Sequence, residues 1–253
     1  MKGFVAIFKR DMHTFFTNFY GVGFRTVHIF FQVFLFANIL GMAISPSSIG
    51  GLGYLQYFTL GASIASLFYS SFTVAYDIQI DKETGFFIYL ITLPISRSEI
   101  VVGRILSGVV RGIFTMLPVY FLGLSYQPSS IYGVLASFII LLVFTFGLCG
   151  LNIILATVIK DGGRMRLGIR FMDLIMLRAS TIMYPIAAMP IWMRILALFN
   201  PLTYTSDSVR QAIVDSPFGI PVHNIIIVLL FAMTTALIGG YIYSRKVEGR
   251  SSE

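Results

Sequence analysis

Charge is what this sequence has least of. Of its 253 residues, 11% are Asp, Glu, Lys or Arg while 57% are hydrophobic, and the mean hydropathy is +0.85. A soluble domain carries about 25% charged residues, so a water-soluble globular fold is excluded and a polytopic membrane protein is expected. Two stretches, Thr26–Tyr76 and Gly112–Ile159, hold no charged residue at all. Cysteine is nearly missing: Cys149 is the single one, in an apolar run. That excludes an intrachain disulfide and reads as a small buried helix residue. His13, His28 and His223 are remote from one another and from Cys149, a pattern without metal-ligand spacing. No lysine follows a glycine; the five lysines follow Met1, Phe8, Asp81, Ile159 and Arg245. A Walker A loop is therefore excluded, and any ATP-driven work must be fuelled by another chain. The net charge of +7 comes from basic residues scattered at the ends of apolar runs. Nucleic acid, which needs a basic face with polar neighbours, is excluded as a partner.

A bilayer core needs about 20 apolar residues in helical form. Counted so, six spans are expected: Phe24–Ile44, Tyr54–Tyr76, Ile105–Leu124, Ile131–Ile159, Leu167–Ala188 and Val222–Tyr243. The expected fold is all-α, a single transmembrane domain over residues 1–253. Fourteen of the eighteen basic residues fall on one side: Lys2, Lys9, Arg10, Arg25, Lys82, Arg97, Arg104, Lys160, Arg164, Arg166, Arg170, Arg245, Lys246 and Arg250. By the positive-inside rule that side is the cytosol, with both termini on it, in the cell (plasma) membrane. Residues 1–20 form an amphipathic helix. At about 100° per residue, Phe4, Phe8, Met12, Phe15, Phe16 and Phe19 share one arc, and Lys2, Lys9, Arg10, His13 and Thr17 take the other. That pattern predicts a helix in the lipid interface. Lys9, Arg10, Asp11 and His13 interrupt any signal-peptide core there.

The segment 77–104 is a polar island between charge-free runs. Asp81-Lys82-Glu83 is expected at a helix N-terminus, followed by a short apolar helix over Phe86–Leu93 that Pro94 ends. Ser96-Arg97-Ser98-Glu99 has capping-box spacing and predicts a fresh helix start. So structured a loop is expected to dock something. The segment 189–221 is apolar between Pro190 and Pro201 but too short to cross. It predicts either a re-entrant helix pair beside an external vestibule or a helix resting on the surface. Arg178 lies eight residues past Arg170, about 12 Å deeper along a helix. It is a pathway or pairing residue, or else it meets lipid phosphates or another span's carbonyls. Asp173, five residues before it, would lie about 140° away on an α-helix and is not its expected partner. Arg111 is expected to pair with Asp77. Ser63, Ser66, Ser70 and Ser71 with Gly61 and Ala62 make a small-residue face for close helix contact.

Asp81-x-Glu83-x-Gly85, with Pro94 and Ser96 before a helix, resembles the cytosolic signature of ABC type-2 exporter permeases. Ser180-x-x-x-Tyr184-Pro185, Pro190-x-Trp192, Asn200-Pro201-Leu202-Thr203-Tyr204, Asp207 and Arg210 resemble their C-terminal half. The likeness covers almost the whole chain and includes multidrug, daunorubicin-resistance-type and polysaccharide-export permeases. Thr181 departs from the glycine usual there. The resemblance implies a half-size permease that dimerises with itself or a second permease, surrounded by membrane lipids and driven by a separate ATPase that holds ATP and Mg. The chain itself would need no cofactor or metal and would not be an enzyme. The ATPase-coupling residues it implies are Asp81, Glu83, Gly85, Phe86, Phe87, Pro94 and Ser96, with the acidic pair facing basic ATPase residues. Candidate pathway or gate residues are Arg178, Ser180, Tyr184, Pro185, Asn200, Pro201 and Tyr204. The expected cargo is a hydrophobic or amphipathic compound moved outward. The alternatives are a polysaccharide or lipid-linked glycan and, further off, a membrane enzyme or an assembly factor.

Overall fold

The structure, a computed structural model, describes residues 3–17, 19–41, 53–93, 95–126, 129–159, 161–214 and 219–248. Over these residues the chain is helical, in the order α1 (Gly3–Thr17), α2 (Phe19–Gly41), α3 (Tyr54–Glu83), α4 (Phe86–Thr92), α5 (Arg97–Leu124), α6 (Ile131–Val158), α7 (Gly162–Met172), α8 (Ile191–Leu198), α9 (Pro201–Val214) and α10 (Val222–Glu248). Among the described residues four helices are long and apolar enough to cross a membrane: α3, α5, α6 and α10 over Val222–Arg245.

α3 is the axis of the bundle. It packs against α2, α5, α6 and α9, and Ser63, Ser66, Ser70 and Ser71 are all fully buried. With no bulky side chain on that face, neighbouring backbones approach closely, which is how helices gain van der Waals contact in lipid. The same logic joins α6 to α10. A Cβ on Gly150 would lie 2.6 Å from the backbone nitrogen of Ala236, and one on Gly239 would lie 2.7 Å from the Gly150 carbonyl oxygen. Gly150→Leu is therefore expected to force these helices apart, at a cost of about 1–3 kcal/mol or more. Thermal unfolding of the detergent-solubilised protein measures it, with the exposed Leu237→Ala as the neutral control.

One boundary corrects the expectations. α3 does not stop at Tyr76 but continues to Glu83, so Asp81-Lys82-Glu83 forms the last turn of a helix, not the N-terminal end of a new one. Nothing breaks the helix before Gly85, whose φ of +74° is the left-handed conformation that glycine alone adopts without strain. The carboxylates are tolerated at the negative end of the dipole because Asp81 has arginine partners and Lys82 reaches back to the carbonyl oxygens of Ala156 and, at 3.4 Å, Ile159 on α6. α5 begins at Arg97, as the capping-box spacing predicts, and the expected span Ile105–Leu124 is its later part. Ser96 and Glu99 form the full capping box, with Glu99 N donating to Ser96 Oγ at 3.3 Å and Ser96 N to Glu99 Oε2 at 3.1 Å.

A second correction concerns Leu167–Ala188, which is not one helix. α7 starts at an Asp161 cap, passes into a π turn over Asp173–Leu177 and ends there. Beyond it come an irregular turn and a single 3-10 turn at Ile186–Ala188. Pro185 cannot donate and disfavours helix at the residue before it, while the Ser180 hydroxyl bonds locally, to the Leu177 carbonyl, and the Thr181 hydroxyl bonds across to α9. Pro190 and Pro201 bound α8 and α9 as their positions predict. α8 is mostly exposed, and α9 is buried against α6, α10 and α3. Pro94 and the end of the first expected span at Ile44 lie outside the described residues.

Candidate functional site

Two polar constructions occupy opposite ends of α3. The first lies where α1, α3 and α5 meet. Asp77 and Asp81 stand four apart on α3, and Arg104 and Arg111 seven apart on α5, so each pair shares a helix face. α1 crosses α5 with Ile7, Asp11 and Phe15 buried, so closely that a Cβ on Gly103 would meet the Phe4 carbonyl oxygen at 2.9 Å. That crossing brings the carboxylate of Asp11, 2% exposed, onto Arg104, 1% exposed. Arg104 Nη1 donates to both oxygens of Asp11 at 2.9 and 3.0 Å, and its Nη2 donates to Asp81. Arg10 adds bonds to Asp81 at 3.0 and 3.1 Å and to Asp11 at 3.1 and 3.2 Å. Arg111 holds Asp77 at 2.7 Å, and Ser107 links it to Asp11, donating at 3.0 Å. Three aspartates balance three arginines, so the cluster is neutral, and a cavity of about 220 Å³ opens on Arg10, Asp11, Thr14, Asp77, Ile80 and Asp81.

α4 hangs from this cluster. The Arg10 guanidinium lies 4.5 Å from the centre of the Phe86 ring, a cation–π contact. Phe87 and Leu90 are buried, with Phe87 edge-on to Tyr243. The opposite side of α4 presents Ile88 and Tyr89, which are 67% and 56% exposed. Glu83 is exposed and accepts a bond from Gln79 at 2.9 Å.

The second construction closes the irregular turn after α7. Non-helical backbone leaves carbonyls unbonded, and where water is absent each must find another donor. Here side chains supply them in sequence. Asn200 donates to Met176 and Ala179, Ser180 to Leu177, and Tyr184 to Arg178. Tyr57 donates to Thr181 and Tyr54 to Met183, both at 2.7 Å. Arg210, 5% exposed, donates to Thr181 at 2.7 Å, to Ile182 at 3.0 Å and to the Tyr57 carbonyl at 3.0 Å, while stacking 3.4 Å from the Tyr57 ring. The Thr181 hydroxyl donates to Asp207 at 2.8 Å and shares a bond with Ser206, both hydroxyls buried and the carboxylate partly exposed. Burial pushes the Asp207 carboxyl up from its usual range, opposed by Arg210 and by the Thr181 hydroxyl. Gly61 makes room for all this: a Cβ there would lie 2.3 Å from the Ile182 carbonyl oxygen.

The model of the family described as ABC-2 type transporter matches residues 2–214. The chain belongs to that family. It is a membrane protein and a transport permease, and the match spans both constructions. The permease is 26% identical over 214 residues to a Porphyra purpurea protein named "Putative transport permease ycf38", covering 78% of this chain and 72% of that one. It is 30% identical over 162 residues to the Cyanophora paradoxa protein of the same name, covering 62% of this chain and 55% of the relative. The aligned part thus spans little more than half of that relative's length.

In the permease, Asp81, Glu83, Gly85, Phe86 and Phe87 lie at the turn from α3 into α4, and Ser96 caps the start of α5. Asp81 is turned inward to arginines of its own chain, however, rather than presented outward. Ser180, Tyr184, Pro185, Asn200, Pro201 and Tyr204 gather about the irregular turn, Tyr204 donating to the Leu198 carbonyl at 2.6 Å. Arg178 stands beside them with its guanidinium at 3.7 Å from Met183 Sδ. Sequence reasoning missed Arg10, Asp11 and Arg104 in the first construction. Asp11, a lone carboxylate between aromatic positions of an amphipathic helix, was the available signal. It also missed Tyr54 and Tyr57 in the second, named Arg210 only as part of the family-like pattern and read Thr181 only as a departure, whereas its hydroxyl ties the turn to α9.

Proposed function

We propose that the permease is the membrane half of an ATP-driven exporter, and that a separate ATPase, holding ATP and Mg, docks on α4 from the cytosol. Supporting this reading is one arrangement: a short helix with an exposed apolar tip, anchored through Phe86 and Arg10 to an ion cluster that also grips α1, α3 and α5. A push on Ile88 and Tyr89 is then delivered to three helices together, because a neutral, buried, multiply bonded cluster resists shear. The tilt would be a rigid-body step between two packed states. With Asp81 engaged internally, the surface offered to the ATPase is apolar and aromatic, flanked by Glu83. Both termini would face the cytosol of the cell membrane. α2, the four long helices and α7 with its turn would make the six crossings. Two permeases would enclose the pathway, with the irregular turn as its rigid outer rim and a hydrophobic or amphipathic compound as cargo.

The test is a tagged permease purified from native membranes. An ATP-binding-cassette ATPase is expected to co-purify, and Ile88→Asp with Tyr89→Asp is expected to lower its recovery at least tenfold while membrane insertion persists. Equal ATPase recovery from that variant, or accessibility labelling that places Tyr89 outside the cell, would remove the proposal.

A further inference from the structure

α5 and α10 both lean on α6, but they meet each other at one end only. A Cβ on Gly108 of α5 would lie 2.7 Å from Cys149 Sγ of α6, and one on Gly147 of α6 would lie 2.8 Å from Ala232 Cα of α10. Between α5 and α10 themselves, Arg97 donates to the Ser244 carbonyl at 3.3 Å, and a Cβ on Gly240 would lie 3.7 Å from Val101 Cγ1. Beyond that contact an apolar groove of about 400 Å³ opens. Leu106 and Val109 form one wall, Leu229 and Met233 the other, and Val143 and Phe146 of α6 the floor. The closed end is cationic. Arg97 and Arg245 are the terminal residues of their spans, Arg97–Leu124 and Val222–Arg245, so both stand at one membrane surface. Arg245 is exposed, lies 5.1 Å from the centre of the Tyr241 ring, and among the described residues has no carboxylate paired with it. Glu99, two residues past Arg97, is engaged by the backbone N–H groups of Gly3 and Ser96.

We infer that this groove binds an anionic phospholipid from the leaflet at the Arg97 and Arg245 surface, its phosphate between the two guanidinium groups and one tail over Val143 and Phe146. The depths agree. At 1.5 Å per residue the groove begins at Leu106, about 14 Å from Arg97, and reaches Leu229, about 24 Å from Arg245. Half a bilayer with its headgroups is about 20 Å thick, so the far part of a tail anchored at the arginines lies in the groove. Apolar contact does not choose among lipids, because every tail is as apolar as these walls. The choice comes from the cations, which attract a net negative headgroup, whereas a zwitterionic headgroup brings its own cation against them. A lipid so held fixes the spacing between α10 and α5, the helix that carries Arg104 and Arg111. The site is separate from the α4 docking surface and stands whether or not an ATPase docks there.

The chain has a single tryptophan, Trp192, which makes a fluorescence test direct. In a Trp192→Phe background, Leu106→Trp reports from the groove wall, and Phe121→Trp, at an exposed position near the far end of α5, serves as the control. The purified full chain is reconstituted in phosphatidylcholine vesicles that contain an equal small fraction of tail-brominated phosphatidylglycerol or tail-brominated phosphatidylcholine. At 106 the brominated phosphatidylglycerol is expected to be the favoured quencher, by about fivefold in local enrichment for each arginine. At 121 the two lipids are expected to quench equally. Arg245→Gln, which removes an exposed side chain, is expected to cut the preference at 106 severalfold, and Arg245→Lys to keep most of it. Adding Arg97→Gln to Arg245→Gln is expected to abolish it. Equal quenching by the two lipids at 106 would overturn the inference, as would a preference that survives Arg245→Gln undiminished. So would quenching by neither lipid at 106 with normal quenching at 121, since the groove would then be covered by protein.

Discussion

Arg104→Met is expected to destabilise the permease by about 3–5 kcal/mol, the range for removing one partner from a buried ion cluster. Arg104 is 1% exposed and bridges Asp11 of α1 to Asp81 of α3. Its loss leaves the Asp11 carboxylate, buried, with only Arg10 and Ser107 as donors. The sign of the effect comes from the orphaned charge rather than from lost volume, since methionine fills most of the space. A second substitution tests that account. Asp11→Asn in the Arg104→Met background is expected to restore part of the lost stability, whereas Asp11→Asn alone is expected to destabilise. Thermal unfolding in detergent, read as a double-mutant cycle, measures the coupling. If the two changes simply add, the cluster is not one unit. The functional counterpart is loss of ATP-dependent transport with ATPase binding retained, because α4 keeps Phe87 and Leu90 in place while α1 loses its link to α3.

Arg210→Met is expected to have a smaller cost, by another route. The guanidinium serves the carbonyls of Tyr57, Thr181 and Ile182; Thr181 keeps the Tyr57 hydroxyl as a second donor and Tyr57, inside α3, keeps its intrahelical bond. The Ile182 carbonyl is left without that donor, and a buried carbonyl so orphaned costs about 1–3 kcal/mol. Arg210→Lys should recover little of it: one ammonium lacks the planar fork that reaches two chain segments while stacking on Tyr57. Arg210 packs at Tyr57, about 36 Å along α3 from Asp81 at 1.5 Å per residue, so ATPase co-purification should be unchanged while thermal stability and transport fall. Lost ATPase binding in Arg210→Met would mean that the two ends of α3 are not independent.

Part of this was legible beforehand because it depends on local chemistry. The capping box at Ser96 and Glu99, the Arg111–Asp77 pair between α5 and α3, the serine face of α3 and the proline-bounded pair α8 and α9 all follow from spacing along one or two neighbouring segments. The placement of Asp81-Lys82-Glu83 failed because polar residues were taken to mark a helix start. In the fold their charges are met by groups from α1, α5 and α6, which lets α3 run on. The 140° separation assumed for Asp173 and Arg178 failed because the helix between them widens into a π turn, with Arg178 N donating to the Asp173 carbonyl oxygen at 3.4 Å.

Composition and hydropathy alone determined that this chain lives in a membrane and is helical, because both follow from the cost of burying charge and backbone in lipid wherever the helices end up. Tertiary structure alone decided where the irregular backbone is affordable and which charges belong together. A carbonyl at Ile182 or a carboxylate at Asp11 is tolerable only if a donor from a segment far away in sequence, Arg210 or Arg104, arrives at hydrogen-bond distance. No pattern along a single helix specifies that meeting.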